Sequence, residues 1–210
     1  MNTSAVHLFV FDTMADWEAA FAIAGINNPQ FQLVPGRYRV TTVGVGREAV
    51  TTIGGLRVQP EVVLGEVSPS ASAMLILPGG QSWESGSNAE AIDKARDFVA
   101  AGVPVAAICA ATLALARAGF LDDREHTSNA ADYLTTSGYR GAGLYRCVPA
   151  TTDRNVITAA GIAPVDFAYE IFKMLNLYSA KALEAWYALF KNGDASKYYQ
   201  LVKEAGNDPT

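Results

Sequence analysis

The stretch from Gly102 to Leu121, GVPVAAICAATLALARAGFL, constrains this chain more than any other. An apolar run, Val103 to Ile108, passes into a helix-forming run, Ala111 to Ala118, with no Gly or Pro between the two to relax the turn. The pattern reads strand, elbow, helix, and Cys109 sits at the join. A residue on such a turn is held with its side chain at the carboxyl edge of a sheet, and the first helical N–H groups, beginning with Ala110, face the same space. A helix N-terminus favours a thiolate, so an unusually acidic, nucleophilic sulfur is expected. The competing reading is an inert buried cysteine, because free thiols are among the most buried groups.

The flanking chain supplies the sheet that an elbow needs. Ala5 to Phe11 is short and apolar enough for a buried strand. Asp12 to Asp16 forms a turn into a helix over Trp17 to Ala24, with Gly25 as its expected C-cap. Asp16 and Glu18 therefore open a helix that follows the first strand, at the edge where Cys109 lies. Arg37 to Val45 alternates as a strand, and Ala49 to Ile53 with Leu56 to Val58 flank Gly54-Gly55 as a hairpin; together they read as an antiparallel insertion at the sheet edge. Met74 to Leu77 is a buried strand stopped by Pro78-Gly79-Gly80. Glycines after a strand let backbone N–H groups approach a reacting atom closely. Asn88 caps a helix through Ala100 that Gly102 closes.

Beyond the elbow helix, Asn129 is placed to cap a helix over Ala130 to Thr136. Val156 to Ala159 reads as the last strand, Gly161-Ile162-Ala163 as its exit loop, and Asp166 to Leu175 as an amphipathic helix. Ser179 to Ala205 is helical and rich in aromatics. Strands alternating with helices predict an α/β fold with a mostly parallel sheet. Residues 1–178 are expected to form that domain, with 179–210 a helical extension packed on it.

Composition excludes several classes of function. A chain of 210 residues with 50% hydrophobic residues buries one sizeable core. The net charge of -5 leaves no basic footprint for nucleic acid. No apolar run has the length to span a bilayer, and MNTSAVHLFVF lacks the pattern of a signal peptide. Cys109 and Cys147 make no disulfide framework, which points to a reducing cytoplasm, and two His with two Cys at unrelated spacings predict no metal site. No cofactor is expected.

Taken together, Asp16-Trp17-Glu18, Leu77-Pro78-Gly79-Gly80, Ala106-Ala107-Ile108-Cys109-Ala110, Thr127-Ser128-Asn129 and the Asn155 to Gly161 stretch NVITAAG resemble, in their order, the ThiJ/PfpI family of the class I glutamine-amidotransferase-like superfamily. The resemblance runs from about Ala5 to about Leu175. It implies a flavodoxin-like three-layer α/β sandwich, a homodimer and a nucleophilic cysteine at the position of Cys109. Glu18 matches the carboxylic acid that hydrogen-bonds the sulfur, and Gly80 and Ala110 match the oxyanion donors. The activities implied are diverse: hydrolysis of peptides or amides, hydration of isonitriles, glyoxalase-like chemistry, and redox sensing or chaperone roles. Peptidase-like members carry a His after the cysteine where this chain has Ala110, so protease activity is not expected. Asn129 stands where other members place a His.

The resulting expectation is a cysteine-dependent hydrolase, hydratase or lyase for a small amide, isonitrile or dicarbonyl. Cys109 would attack and Glu18 would move the proton, with Asp16 a weaker candidate for that task. Gly79, Gly80, Ala110, Asp16, Asn129, Trp83 and Trp17 would form the pocket. Two alternatives stand beside it: a redox sensor whose Cys109 is oxidised, and a catalytically silent small-molecule-binding module. His126 and His7 are expected to be structural, and so is Cys147.

Overall fold

The computed structural model describes residues 3–206. Strand β1 (Ser4–Phe9) is third in a seven-stranded sheet with the order β5-β2-β1-β6-β7-β9-β8. The other strands are β2 (Tyr38–Gly44), β5 (Val62–Val63), β6 (Ser72–Leu77), β7 (Val105–Ile108), β8 (Ala150–Asp153) and β9 (Val156–Ala159). All pairings in this sheet are parallel except β8 with β9. β3 (Val50–Thr51) and β4 (Arg57–Val58) form a separate antiparallel hairpin. β2 runs parallel to β1 inside the main sheet, so the expected antiparallel insertion shrinks to that hairpin. Alternation alone does not distinguish the two pairings.

Parallel neighbours need crossovers, and the chain supplies α1 (Asp16–Asn27) after β1 and α2 (Ala89–Ala100) after β6. Right-handed crossovers running to opposite sides of β1 place α1 and α2 on opposite faces of the sheet. α5 (Pro164–Met174) packs along α1, and α6 (Ala180–Asn192) packs on α5. α3 (Ala110–Arg117) follows the elbow, α4 (Ala131–Thr135) packs against it, and α7 (Lys197–Glu204) lies on α6. The result is the three-layer, flavodoxin-like arrangement, with Leu75, Ile76, Leu77, Val105 and Ile108 fully buried between the helical layers.

α1 does not stop at Gly25. It continues through Asn27, because Gly25 faces α5 and a Cβ there would lie 2.3 Å from Cζ of Phe172. The glycine allows two helices to approach instead of ending one. The aromatic seam continues into α6, where Trp186 meets Phe172 edge-on at 4.9 Å between centroids and contacts Phe21 at 6.3 Å. Trp186 and Leu183 thereby belong to the same core cluster as the sheet.

Candidate functional site

The carboxyl edge of the sheet collects the singled-out residues because β1, β6, β7 and β9 all end there. Cys109 has φ 59° and ψ -128°, a left-handed backbone conformation that costs a non-glycine residue of the order of 1–3 kcal/mol. Its neighbours hold it there. The Cys109 N–H donates to the Ala159 carbonyl at 3.0 Å. Its own carbonyl accepts from the Thr112 hydroxyl at 2.6 Å, and that hydroxyl also contacts Ser128 Oγ at 2.6 Å. Thr112 and Ser128 brace the elbow from below, a role with no sequence signature of its own.

Glu18 enters from the first turn of α1 and is 1% exposed. Its Oε2 accepts the Gly79 N–H, so this amide is occupied by the carboxyl. Burial raises Glu18 to about 7, against the smaller lowering effects of the Gly79 amide and the Cys109 contact. The sulfur goes the other way from the sequence expectation. Burial, and next the charge of Glu18, raise Cys109 to about 11; the Asn129 amide and the Ala110 N–H oppose this and do not win. An elbow thiol is not acidic merely because a helix begins beside it. Here desolvation and a buried acid outweigh the helix terminus.

Asn129 does not cap α4, whose N-cap is Ala130. Its side chain spans the site instead, with Nδ2 donating to Cys109 Sγ at 3.4 Å and Oδ1 accepting the Gly161 N–H at 2.9 Å. The Gly161 carbonyl in turn accepts from Trp17 Nε1 at 3.4 Å. Gly161 is a wall of the site that the sequence treated only as an exit loop. A Cβ there would lie 2.8 Å from Sγ, and one at Gly79 would lie 2.6 Å from Glu18 Oε2 and from Cys109 Cβ. Two close backbone approaches thus frame the sulfur.

The remaining singled-out residues separate into two groups. Ala110 offers its N–H at the sulfur, and Gly80 follows Gly79 on a strand of backbone paired with Met14. Trp17 is 51% exposed at the rim. Asp16 turns away, its Oδ2 accepting the Gly54 N–H at 2.7 Å, so it holds the hairpin and takes no part at the sulfur. Trp83 does not wall this pocket. It is buried against Phe9 and Phe11 with Nε1 on the Pro78 carbonyl, supporting the Gly79-Gly80 loop from within the core. His126 is fully buried between the Arg124 carbonyl and the Tyr139 hydroxyl, away from Cys109, and His7 contacts Ser72. Both cysteines are free. The register Ile108–Ala159–Ala150 sets β8, which follows Cys147, two strand spacings or about 9.6 Å from β7. Among the described residues no helix is long and apolar enough to cross a membrane.

An open parallel α/β sheet carrying a strained cysteine elbow beside a buried acid defines a class of protein. Residues 4–174 match the DJ-1/PfpI family, and the chain belongs to it. A solved ThiJ/PfpI family protein from Bacillus anthracis superimposes with a TM-score of 0.90 at 39% identity, covering 97% of this chain and 98% of that one. The relative named uncharacterized protease YoaZ, from Bacillus subtilis (strain 168), is 39% identical over 205 residues, 96% of this chain and 98% of its own. The Pyrococcus furiosus relative named deglycase PfpI is 32% identical over 101 residues, 48% of this chain and 61% of its own.

Proposed function

We propose that this chain is a cysteine-dependent enzyme acting on a small electrophilic carbon of amide, isonitrile or dicarbonyl type. The observation that carries the reading is the pairing of a strained elbow thiol with a buried carboxyl raised to about 7, the range where a carboxylate is an effective general base near neutrality. At that pH the thiol is not free thiolate. The Glu18 carboxylate takes the thiol proton as the S–C bond forms. At an amide or dicarbonyl the C=O electron pair moves onto oxygen, whereas at an isonitrile the pair stays on the attacked carbon. The Ala110 amide, with Gly80 as the second donor of this reading, would steady charge on a carbonyl oxygen. Protonated Glu18 returns the proton to the amide nitrogen, the dicarbonyl oxygen or the isonitrile carbon. An amide adduct first expels its amine to leave a thioester. A dicarbonyl adduct first moves its aldehyde C–H proton to the neighbouring carbon through the enediol, leaving a 2-hydroxy thioester. Water then adds to the thioester, or to the thioimidate formed from an isonitrile, and the sulfur leaves as the Cys109 thiol.

Asn129 cannot exchange a proton at neutral pH, so among the described residues Glu18 is the carboxyl placed to carry a proton to and from the sulfur. Names of relatives as protease and deglycase agree with attack on a carbonyl carbon. Ala110, in place of the His that peptidase-like members carry, directs the reading away from proteins as substrates. A thiol raised to about 11 also speaks against a freely ionised peroxide sensor.

The test is the pH–rate profile of Cys109 alkylation by iodoacetamide, read by peptide mass, followed by turnover of a panel of small amides, isonitriles and dicarbonyls. The reading expects a limb near pH 7 that vanishes in Glu18→Gln, and turnover that vanishes in Cys109→Ser. A profile governed by one ordinary thiol ionisation, identical in Glu18→Gln, would overturn it.

A further inference from the structure

Two cavities lie side by side near the carboxyl end of β9, and the ion pair between them is divided. Lys191, in the last turn of α6, donates to Asp166 Oδ2 at 2.6 Å. Asp166 faces a cavity of about 260 Å³ that also holds the carboxylates of Glu170 and Glu184. Lys191 faces the other, of about 280 Å³, in which no carboxylate lines the wall. Its walls include the polar Ser128, Asn129 and Tyr145, Cys147, and the apolar Val148, Pro149 and Ile162. An ammonium has three donors, and the Asp166 contact uses one.

This second cavity adjoins the sulfur. Asn129 is common to both, its Nδ2 being 3.4 Å from Sγ, and Ile162 directly follows Gly161, which frames the sulfur. We propose that the cavity receives the carboxylate tail of the substrate, with the apolar stem along Val148, Pro149 and Ile162, the anion on Lys191, and the electrophilic carbon directed past Asn129 to Cys109. One ammonium beside an apolar strip of Val148, Pro149 and Ile162 suits a monoanion at the end of a short hydrocarbon chain. The C-terminal helix α6 is then a specificity element, since it supplies the only cation among the lining residues. As a statement about substrate, the proposal rests on the enzymatic reading above.

Cys147, exposed on the cavity wall, permits a test that does not depend on Cys109 chemistry. The probes are N-iodoacetyl-β-alanine and its uncharged N-methylamide, whose iodide is displaced by a cysteine sulfur to form one S–C bond. In Cys109→Ser, Cys147 should react saturably with the carboxylate probe and about fivefold faster than with the amide, the effect of one partly screened charge pair of about 1 kcal/mol. Adding Lys191→Gln should abolish that preference, whereas Lys181→Gln, an exposed lysine on the same helix, should not. Val148→Glu places an opposing charge in the cavity without touching the Asp166 pair and should also abolish it. In Cys147→Ser, the same Lys191-dependent preference should appear at Cys109. A preference at Cys147 indifferent to both Lys191→Gln and Val148→Glu overturns the proposal. A Lys191-dependent preference at Cys147, with a Cys109 that plain iodoacetamide cannot alkylate, supports the carboxylate site and overturns the enzymatic reading alone.

Discussion

Gly25 and Gly161 occupy the same steric situation in two different parts of the molecule. At each, an added Cβ would lie within 3 Å of a neighbour: Phe172 on α5 in the first case and the Cys109 sulfur in the second. At Gly25 the missing side chain allows two helices to close on an apolar seam that is part of the core. At Gly161 it leaves the Cys109 sulfur uncovered, and the glycine's own N–H and carbonyl are tied to Asn129 and Trp17. One close approach serves stability and the other serves access. A substitution at either should therefore affect one property and spare the other.

The largest expected effect is at the sulfur. Gly161→Ala should slow iodoacetamide alkylation of Cys109 by about 100-fold, the scale of a 1 Å misplacement at a reacting centre, with the denaturation midpoint nearly unchanged. Equal losses of stability and reactivity would erase the distinction between the two glycines. Glu18 gives the next effect. Its folded pKa of about 7 lies above the ordinary 4.5, so the native state holds this proton more tightly than the unfolded chain. Its contribution is fully present below pH 4.5 and is lost as pH rises through about 7. At pH 8, Glu18→Gln should thus be more stable than the parent by about 2–3 kcal/mol while losing Cys109 reactivity near neutrality. Chemical denaturation across pH 4.5–8 measures it, and a variant with the parent's pH slope would refute the buried-acid account.

Gly25→Ala should destabilise by about 1–3 kcal/mol through overpacking on Phe172, part of which the better helix propensity of Ala offsets, and should leave the alkylation profile untouched. The smallest effect concerns His7 and His126. Burial lowers both, so the unfolded chain takes up protons first, and stability should fall as pH drops below about 6.5. The measurement belongs in the Glu18→Gln background, where the opposing slope of the carboxyl is gone. His126→Gln should flatten the dependence there, and no change would place the effect elsewhere.

The elbow was legible because its signal is local: an apolar strand, a helix-forming run and no relaxing residue between them. The hairpin around Gly54-Gly55 and the last strand, Val156–Ala159, were legible for the same reason. β5 and β8 were not. Val62–Val63 is only two residues long, and Ala150–Asp153 is a polar, half-buried edge strand without an apolar face to announce it. Gly25 resembled a helix stop because close packing against Phe172 is a tertiary fact. Asn129 resembled a cap for a similar reason, since its partners Cys109 and Gly161 lie 20 and 32 positions away. The direction of the Cys109 shift was missed because a helix terminus is visible in sequence, whereas burial and the distance to a charge are not.

The Asn129 bridge also bears on the order in which the protein is made. Glu18, Gly79 and Cys109 emerge from the ribosome before Gly161, and β7 gains its partner β9 only about 50 residues after Cys109. Until then the Cys109 N–H lacks the Ala159 carbonyl, and the Asn129 amide lacks the backbone that aims it at the sulfur. A nascent chain therefore carries an ordinary thiol, and the strained, proton-coupled one arises when the last strand docks. The arrangement ties the strained geometry of Cys109 and its Asn129 contact to the docking of β9.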